Sequence, residues 1–192
     1  MPTEIVNLKA FFIFGIYENS FYNPIICTGH LDFLLCRFRT NCCNNFNITM
    51  TLEKAIEIAV KAHHGQVDKY GAPYISHVTR VMNMGRTEEE KICGVLHDVV
   101  EDTSWTFDQL AAEGFSSCII EALRCITKIS ENEDYEHFIQ RTLQNRLACI
   151  VKLNDLTDNM DIKRIPEVTE NDIARLNKYL NAYRTISNAL SQ

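Results

Sequence analysis

An all-α fold is predicted for residues 50 to 192 from three observations on the chain. Apolar residues recur there with the period of about 3.6 that puts them on one face of a helix. Several of these runs open on a threonine placed to cap the first turn, and no stretch alternates as a half-buried strand would. The expected architecture is one compact bundle of about seven to nine helices, since amphipathic helices bury their apolar stripes against one another. The remainder, residues 1 to 49, is expected to be an irregular leader.

The first helix carries Leu52, Ala55, Ile56, Ala59 and Ala62 as one stripe, with Thr51 as its N-cap. The segment GQVDKYGAPYIS, from Gly65 to Ser76, breaks the helical pattern at Gly71 and Pro73, so Lys69 and Tyr70 are offered from a loop. Loops on a rigid scaffold are where ligands tend to be gripped. A turn at Pro73 then feeds a new helix bearing His77. Thr87 with Glu90 forms a capping box for the helix carrying His97, and Thr106 with Gln109 another for a short helix ending near Gly114. Ile119, Ile120, Leu123 and Ile126 mark the next helix; Tyr135, Phe138, Ile139, Thr142 and Leu143 mark the one after. Asn145 breaks that run before Leu147, Ile150, Val151 and Leu153 begin a helix that ends between Asp155 and Met160. Thr169 and Asp172 open a long last helix with Ile173, Leu176, Leu180, Tyr183 and Ile186 on its inner face.

The 192 residues suit one domain with an appendage. The leader holds seven of the ten Phe and four of the eight Cys, and its three acids balance its three bases. The whole formal charge of −6 therefore belongs to residues 50 to 192. An acidic domain without a basic stripe excludes nucleic acid as the expected partner. The apolar run AFFIFGIY is too short to span a bilayer, so no membrane partner is expected. Met50 directly precedes a clean helix start, and the expectation is that the native protein begins there. There is no CxxC pair, and Cys93, Cys118, Cys125 and Cys149 fall at apolar helical positions. They read as small hydrophobes of a reducing compartment, the cytoplasm. A homo-oligomer is compatible with the sequence.

The chemistry concentrates in GVLHDVVEDT. On a continuous helix His97 would stack over Glu101 and Asp98 over Asp102, gathering one imidazole and three carboxylates within about two turns. Val95, Leu96, Val99 and Val100 surround them, and acids buried among valines need a cation. A catalytic divalent ion usually takes three or more protein ligands, which His77 and Asp155 can complete. His77, His97, Asp98 and Asp155 make a two-imidazole, two-carboxylate set that suits Mn²⁺, Fe²⁺ or Zn²⁺ better than Ca²⁺. Spacing does not choose among these metals.

AHHGQVDKYGAPYISH, LHDVVEDT and VKLNDLTDNM, in this order, resemble the motifs of the HD-domain metal-dependent phosphohydrolases, and among them the Rel/SpoT-like small alarmone hydrolases. The resemblance spans about residues 52 to 185 and makes residues 50 to 192 an HD phosphohydrolase domain. It implies Mn²⁺-dependent hydrolysis of the 3′-pyrophosphate of guanosine tetra- or pentaphosphate to GDP or GTP and pyrophosphate. It makes His77, His97, Asp98 and Asp155 the metal ligands. Glu101 and Asp102 would position and deprotonate the attacking water. Lys69, Tyr74 and Asn159 would contact the nucleotide, and His63 matches a family histidine, with a structural hydrogen-bonding role as the alternative. Departures from the pattern are Asp68 in place of a base, Val78 in place of Pro, and Leu156 and Asp158 in place of Arg and His in KLADRLHN; the interval from His77 to His97 is also shorter. These leave the metal centre intact and put the nucleotide grip in question. The alternatives are an HD phosphohydrolase for another nucleotide or phosphate ester, and a non-catalytic nucleotide- or metal-binding module.

Overall fold

A computed structural model describes residues 51–130 and 132–192, and the leader and the expected start at Met50 lie outside these residues. Nine α-helices and one 3₁₀ turn follow in order among the described residues: α1 (Leu52–Ala62), α2 (Ile75–Met84), α3 (Glu88–Leu96), α4 (Val99–Asp102), α5 (Phe107–Ala112), α6 (Ser117–Ile126), α7 (Tyr135–Thr142), α8 (Arg146–Asn159), the turn Ile162–Arg164, and α9 (Glu170–Leu190). The only extended pairing among them is an isolated bridge between Val67 and Pro73 at the neck of the loop. The all-α expectation and the helix order hold. No described helix is long and apolar enough to cross a membrane.

Local chemistry explains most boundaries. Thr106 and Gln109 cap α5 reciprocally, as do Thr169 and Asp172 at α9, each satisfying two backbone donors that a helix start otherwise leaves unpaired. Asn145 accepts from Ala148 N at 3.0 Å and so opens α8 where it closes the preceding run. Gly114 at φ +100° ends the α5 turn in the left-handed region that side chains disfavour. Two caps differ from expectation. Thr51 makes no side-chain cap bond, and the Glu90 carboxylate takes Arg86 N at 2.6 Å in place of the Thr87 N–H.

α8 runs through the centre, packed against α2, α3, α6 and α9. It buries residues on several sides, Ala148, Val151 and Leu156 beside the acids Asp155 and Asp158, which is why it shows little amphipathic contrast. One apolar cluster joins α1, α2, α3, α6 and the start of α8, with Ala55, Val81, Leu96 and Leu123 at its middle. A smaller cluster, Phe138, Cys149, Leu156, Ala182 and Ile186, joins α7, α8 and α9. Val78, where the resembled pattern has Pro, is a wholly buried core residue of α2.

Three expectations are corrected. The inner face of α9 is Tyr179, Ala182, Tyr183, Ile186 and Leu190, whereas Ile173 and Leu180 are exposed. The first turn of α9 instead buries Asp172, which meets Lys69 and Tyr70. Cys118 is exposed, while Cys93 and Cys149 are buried. The HDxxED stretch is not one helix: α3 ends at Leu96 and α4 begins at Val99, with the Asp102 N to Asp98 O bond of 2.9 Å bridging the break.

Candidate metal centre

α2 supplies His77, the end of α3 supplies His97 and Asp98, and the last turn of α8 supplies Asp155. Ligand atoms of His77, His97 and Asp98 lie within 4.8 Å of one another. Asp155 Oδ1 lies 3.3 Å from His77 Nε2 and 3.6 Å from His97 Nε2. Asp98 Oδ2 lies 3.6 Å from His77 Nε2 and 3.0 Å from His97 Nε2. Both imidazoles have the other nitrogen engaged. His77 Nδ1 donates to Asp158 Oδ2 at 2.7 Å, and His97 Nδ1 to Gly94 O at 2.8 Å. Each therefore presents Nε2, whose tautomer is set by the bond on the far side of the ring.

The donor set fits a divalent ion. His97 Nε2 is buried and has no hydrogen-bond partner, although a carboxylate oxygen is only 3.0 Å away. Imidazole nitrogens and carboxylate oxygens this close together, with one buried nitrogen lacking a hydrogen bond, are a donor set that a cation can bind.

Charge gives the same reading. Burial works against the imidazolium of His77, yet bonds to Asp155, Asp158 and Asp98 outweigh it and push its pKa up to about 11. Burial also opposes the charge on His97, and Asp98 and Asp155 overcome it to about 9. Burial would raise Asp98 and Asp155, but the histidines, with Lys152 beside Asp155, hold both below the usual carboxylate range. The carboxylates of Asp98, Asp155 and Asp158 thus favour protonated rings, positive charge that a divalent cation at the Nε2 atoms would replace.

The catalytic pair separates in space. Glu101 accepts from Lys128 N at 2.9 Å and Lys128 Nζ at 3.2 Å, so it does not stack on His97 as a continuous helix would require. The change of direction at His97 and Asp98 turns it away. Asp102 is exposed, yet partial desolvation, then the charge of the neighbouring Asp98, raises its pKa above the ordinary carboxylate value. Both line an open cleft of about 760 Å³ with Arg124, Lys128 and Arg141.

On the other side, a cleft of about 280 Å³ is lined by Lys69, Tyr70, Tyr74, Asn159, Arg175 and Tyr179 among others. It brings together the three residues expected at the nucleotide. Two of them also touch the metal group: Tyr74 donates to Asp98 Oδ2 at 2.6 Å, and Asn159 Nδ2 to Asp155 Oδ1 at 2.5 Å. Lys69 is paired with Asp172. His63 is buried, with Nδ1 on Gln66 Oε1 at 2.7 Å, in keeping with a hydrogen-bonding role. Sequence reasoning missed Lys152, whose Nζ holds Asp155 Oδ2 at 2.7 Å. Its position three residues before Asp155, one helix turn away, was the available signal. It also missed Arg164, which reaches Asp68 from ninety-six residues away, with no local signal at all.

No protein-family profile matches the chain. A guanosine-3′,5′-bis(diphosphate) 3′-pyrophosphohydrolase of Aquifex aeolicus is 29% identical over 120 residues, 57% of this chain and 17% of that protein. A GTP pyrophosphokinase of Myxococcus xanthus is 29% identical over 157 residues, 72% and 20% of the two chains. The bifunctional (p)ppGpp synthase/hydrolase SpoT of Escherichia coli is 28% identical over 123 residues, 57% and 17%. The chain thus spans about a fifth or less of the length of these curated relatives. A solved structure described as "A metazoan ortholog of SpoT hydrolyzes ppGpp and plays a role in starvation responses" superposes with a TM-score of 0.56 at 20% identity, covering 73% of this chain and 91% of that one.

Proposed function

We propose that this chain, a Rel/SpoT-like HD-domain protein in its sequence kinship and fold, hydrolyses the 3′-pyrophosphate of guanosine tetra- or pentaphosphate to GDP or GTP and pyrophosphate. The observation that carries the reading is the close group of His77, His97, Asp98 and Asp155, beside Tyr74 and Asn159, which bond to Asp98 and Asp155 and line the cleft that also holds Lys69 and Tyr70. These four residues would hold the ion, which we take to be Mn²⁺. When bound, it polarises the phosphoryl group and makes water more acidic.

The protein's own residues supply the rest. Asp102, with its raised pKa, takes a proton from the attacking water, and Glu101, fixed by Lys128, orients that water. The water oxygen bonds to the phosphorus attached at the ribose 3′ position. The bond from that phosphorus to the 3′ oxygen breaks, and the 3′ oxygen takes up a proton as it leaves. Tyr74, hydrogen-bonded to Asp98, and Lys152, paired with Asp155, keep the two carboxylates from turning. Lys69, Tyr70 and Asn159 face the nucleoside side, while Arg124 and Lys128 on the Asp102 side face departing pyrophosphate. Asp68 does not oppose an anionic substrate as a bare charge would, because its oxygens are taken by Arg164 and by the N–H groups of Tyr70 and Ala72. A cytoplasmic location is part of the same proposal, and a guanine nucleotide substrate would support it.

The test is pyrophosphate release from guanosine tetraphosphate by the chain loaded with Mn²⁺, beside a panel of other nucleotides and an Asp98→Ala control. Release confined to the alarmone and lost in the control is the expected outcome. Release from another substrate alone would move the specificity, and no release by a metal-loaded protein would leave a binding module.

A further inference from the structure

We infer that Asp158 is a positioning residue of the metal centre: its carboxylate holds Nδ1–H of His77, so that Nε2 is the atom offered to the ion. The inference rests on reading His77 as a metal ligand.

Asp158 and Asp155 stand one turn apart on α8, so one helix brings both a carboxylate for the ion and the carboxylate behind its histidine partner. Asp158 is 4% exposed, and its Oδ2 meets His77 Nδ1 at 2.7 Å. Its other bonds prevent it from rotating. Arg80 Nε reaches Oδ1 at 2.5 Å and Arg80 Nη2 reaches Oδ2 at 3.1 Å, while Arg164 Nη1 reaches Oδ2 at 2.5 Å. A carboxylate serving only as an ion-pair anchor would satisfy the two arginines and leave the imidazole alone. Here the oxygen shared with the arginines is the one that faces His77. A carboxylate behind a metal-bound imidazole fixes the ring's tautomer and direction and raises the basicity of the far nitrogen.

The same network ties two departures from the resembled pattern together. Arg164 bonds Asp158 through Nη1 and Asp68 through Nη2, the latter at 2.6 Å. Asp68 Oδ1 in turn accepts from Tyr70 N at 2.9 Å and Ala72 N at 3.0 Å, closing the loop that carries Lys69. An unbroken chain of bonds therefore runs from the His77 ring to the loop on the nucleotide side. Asp158 and Asp68 act as a compensated pair through one arginine.

The experiment titrates the full chain with Co²⁺, read by visible absorption, in the wild type, Asp158→Asn and Arg80→Gln, with melting curves for each. The His77 ring is followed by NMR in the Zn²⁺-loaded protein. Asp158→Asn is expected to bind Co²⁺ about 10- to 100-fold more weakly and to shift the His77 Nδ1 proton signal. Arg80→Gln, which keeps the carboxylate on His77, should melt lower but lose far less affinity. Equal Co²⁺ affinity in Asp158→Asn and the wild type, with only the melting point lowered, would reduce Asp158 to an ion-pair anchor and overturn the inference. Should Asp158→Asn not fold, Asp158→Glu keeps the charge for the arginines while displacing the oxygen from His77. Weakened Co²⁺ binding then supports the role, and unweakened binding overturns it. A wild type that binds no divalent ion would sink the metal reading together with this inference. A wild type that binds Co²⁺ but leaves guanosine tetraphosphate intact would sink only the substrate reading.

Discussion

Glu101 and Asp102 are neighbours in sequence with the same functional group, and their surroundings divide the work between them. Partial desolvation and the charge of the neighbouring Asp98 raise the pKa of Asp102 and make it the better proton acceptor. Glu101 is engaged by the backbone and ammonium of Lys128. Asp102→Asn is therefore expected to lower kcat about 10²- to 10⁴-fold with Mn²⁺ content unchanged, measured by turnover beside metal analysis. Glu101→Gln should also retain metal and lose turnover, but by less than Asp102→Asn; an equal or larger loss would reverse the assignment. The two histidines give a second expectation. Their pKa values of about 11 and about 9 leave both protonated at neutral pH in the metal-free protein. A metal ion needs the neutral ring, so binding should release close to two protons per ion, and affinity should rise with pH. Calorimetry in buffers of different ionisation enthalpy counts those protons; a count near zero would contradict the electrostatic picture.

At the scale of elements, the site depends on how closely α2 and α3 approach. An added Cβ at Gly94 would lie 3.0 Å from Met82 Cα and 3.1 Å from Met82 N, both backbone atoms that cannot step aside. Gly94→Ala should push α2, with His77, away from α3, with His97, and weaken Co²⁺ binding at least tenfold while helix content by circular dichroism stays near wild type. Unchanged affinity would show that the pair of helices yields without moving the histidines. This contact is the kind of feature the sequence does not disclose, since nothing near Gly94 distinguishes close packing from tolerance. Capping and apolar period act within a few residues, so Thr106, Asn145 and Thr169 marked their helices correctly. The four residues proposed as metal ligands were legible for a related reason: each stands in a local motif, and their meeting required only that three helices pack. What stayed hidden depended on distant partners. The inner face of α9 follows from its packing on α7 and α8, and the neutralisation of Asp68 from Arg164.

For the domain as a whole, the buried charges make metal binding and folding one equilibrium. An ion that binds only the folded chain stabilises it by about 2.7 kcal/mol at a hundred times its dissociation constant. Adding Mn²⁺ should then raise Tm by several degrees and a chelator should reverse it, with Asp98→Ala abolishing the shift. The pH dependence sharpens the test. In the metal-free protein, both histidines have pKa values raised above the ordinary 6.5. Their contribution to stability is present in full below pH 6.5 and is lost as pH climbs through about 9 and then about 11. In the metal-loaded protein the rings are already neutral and the ion balances Asp98 and Asp155, so this alkaline loss should be absent. Melting curves from pH 6 to 10, with and without Mn²⁺, are expected to diverge as pH rises, the chelated protein falling while the loaded one holds. Parallel curves would mean that the imidazoles do not exchange protons for metal, and that the four residues are held together by their own ion pairs.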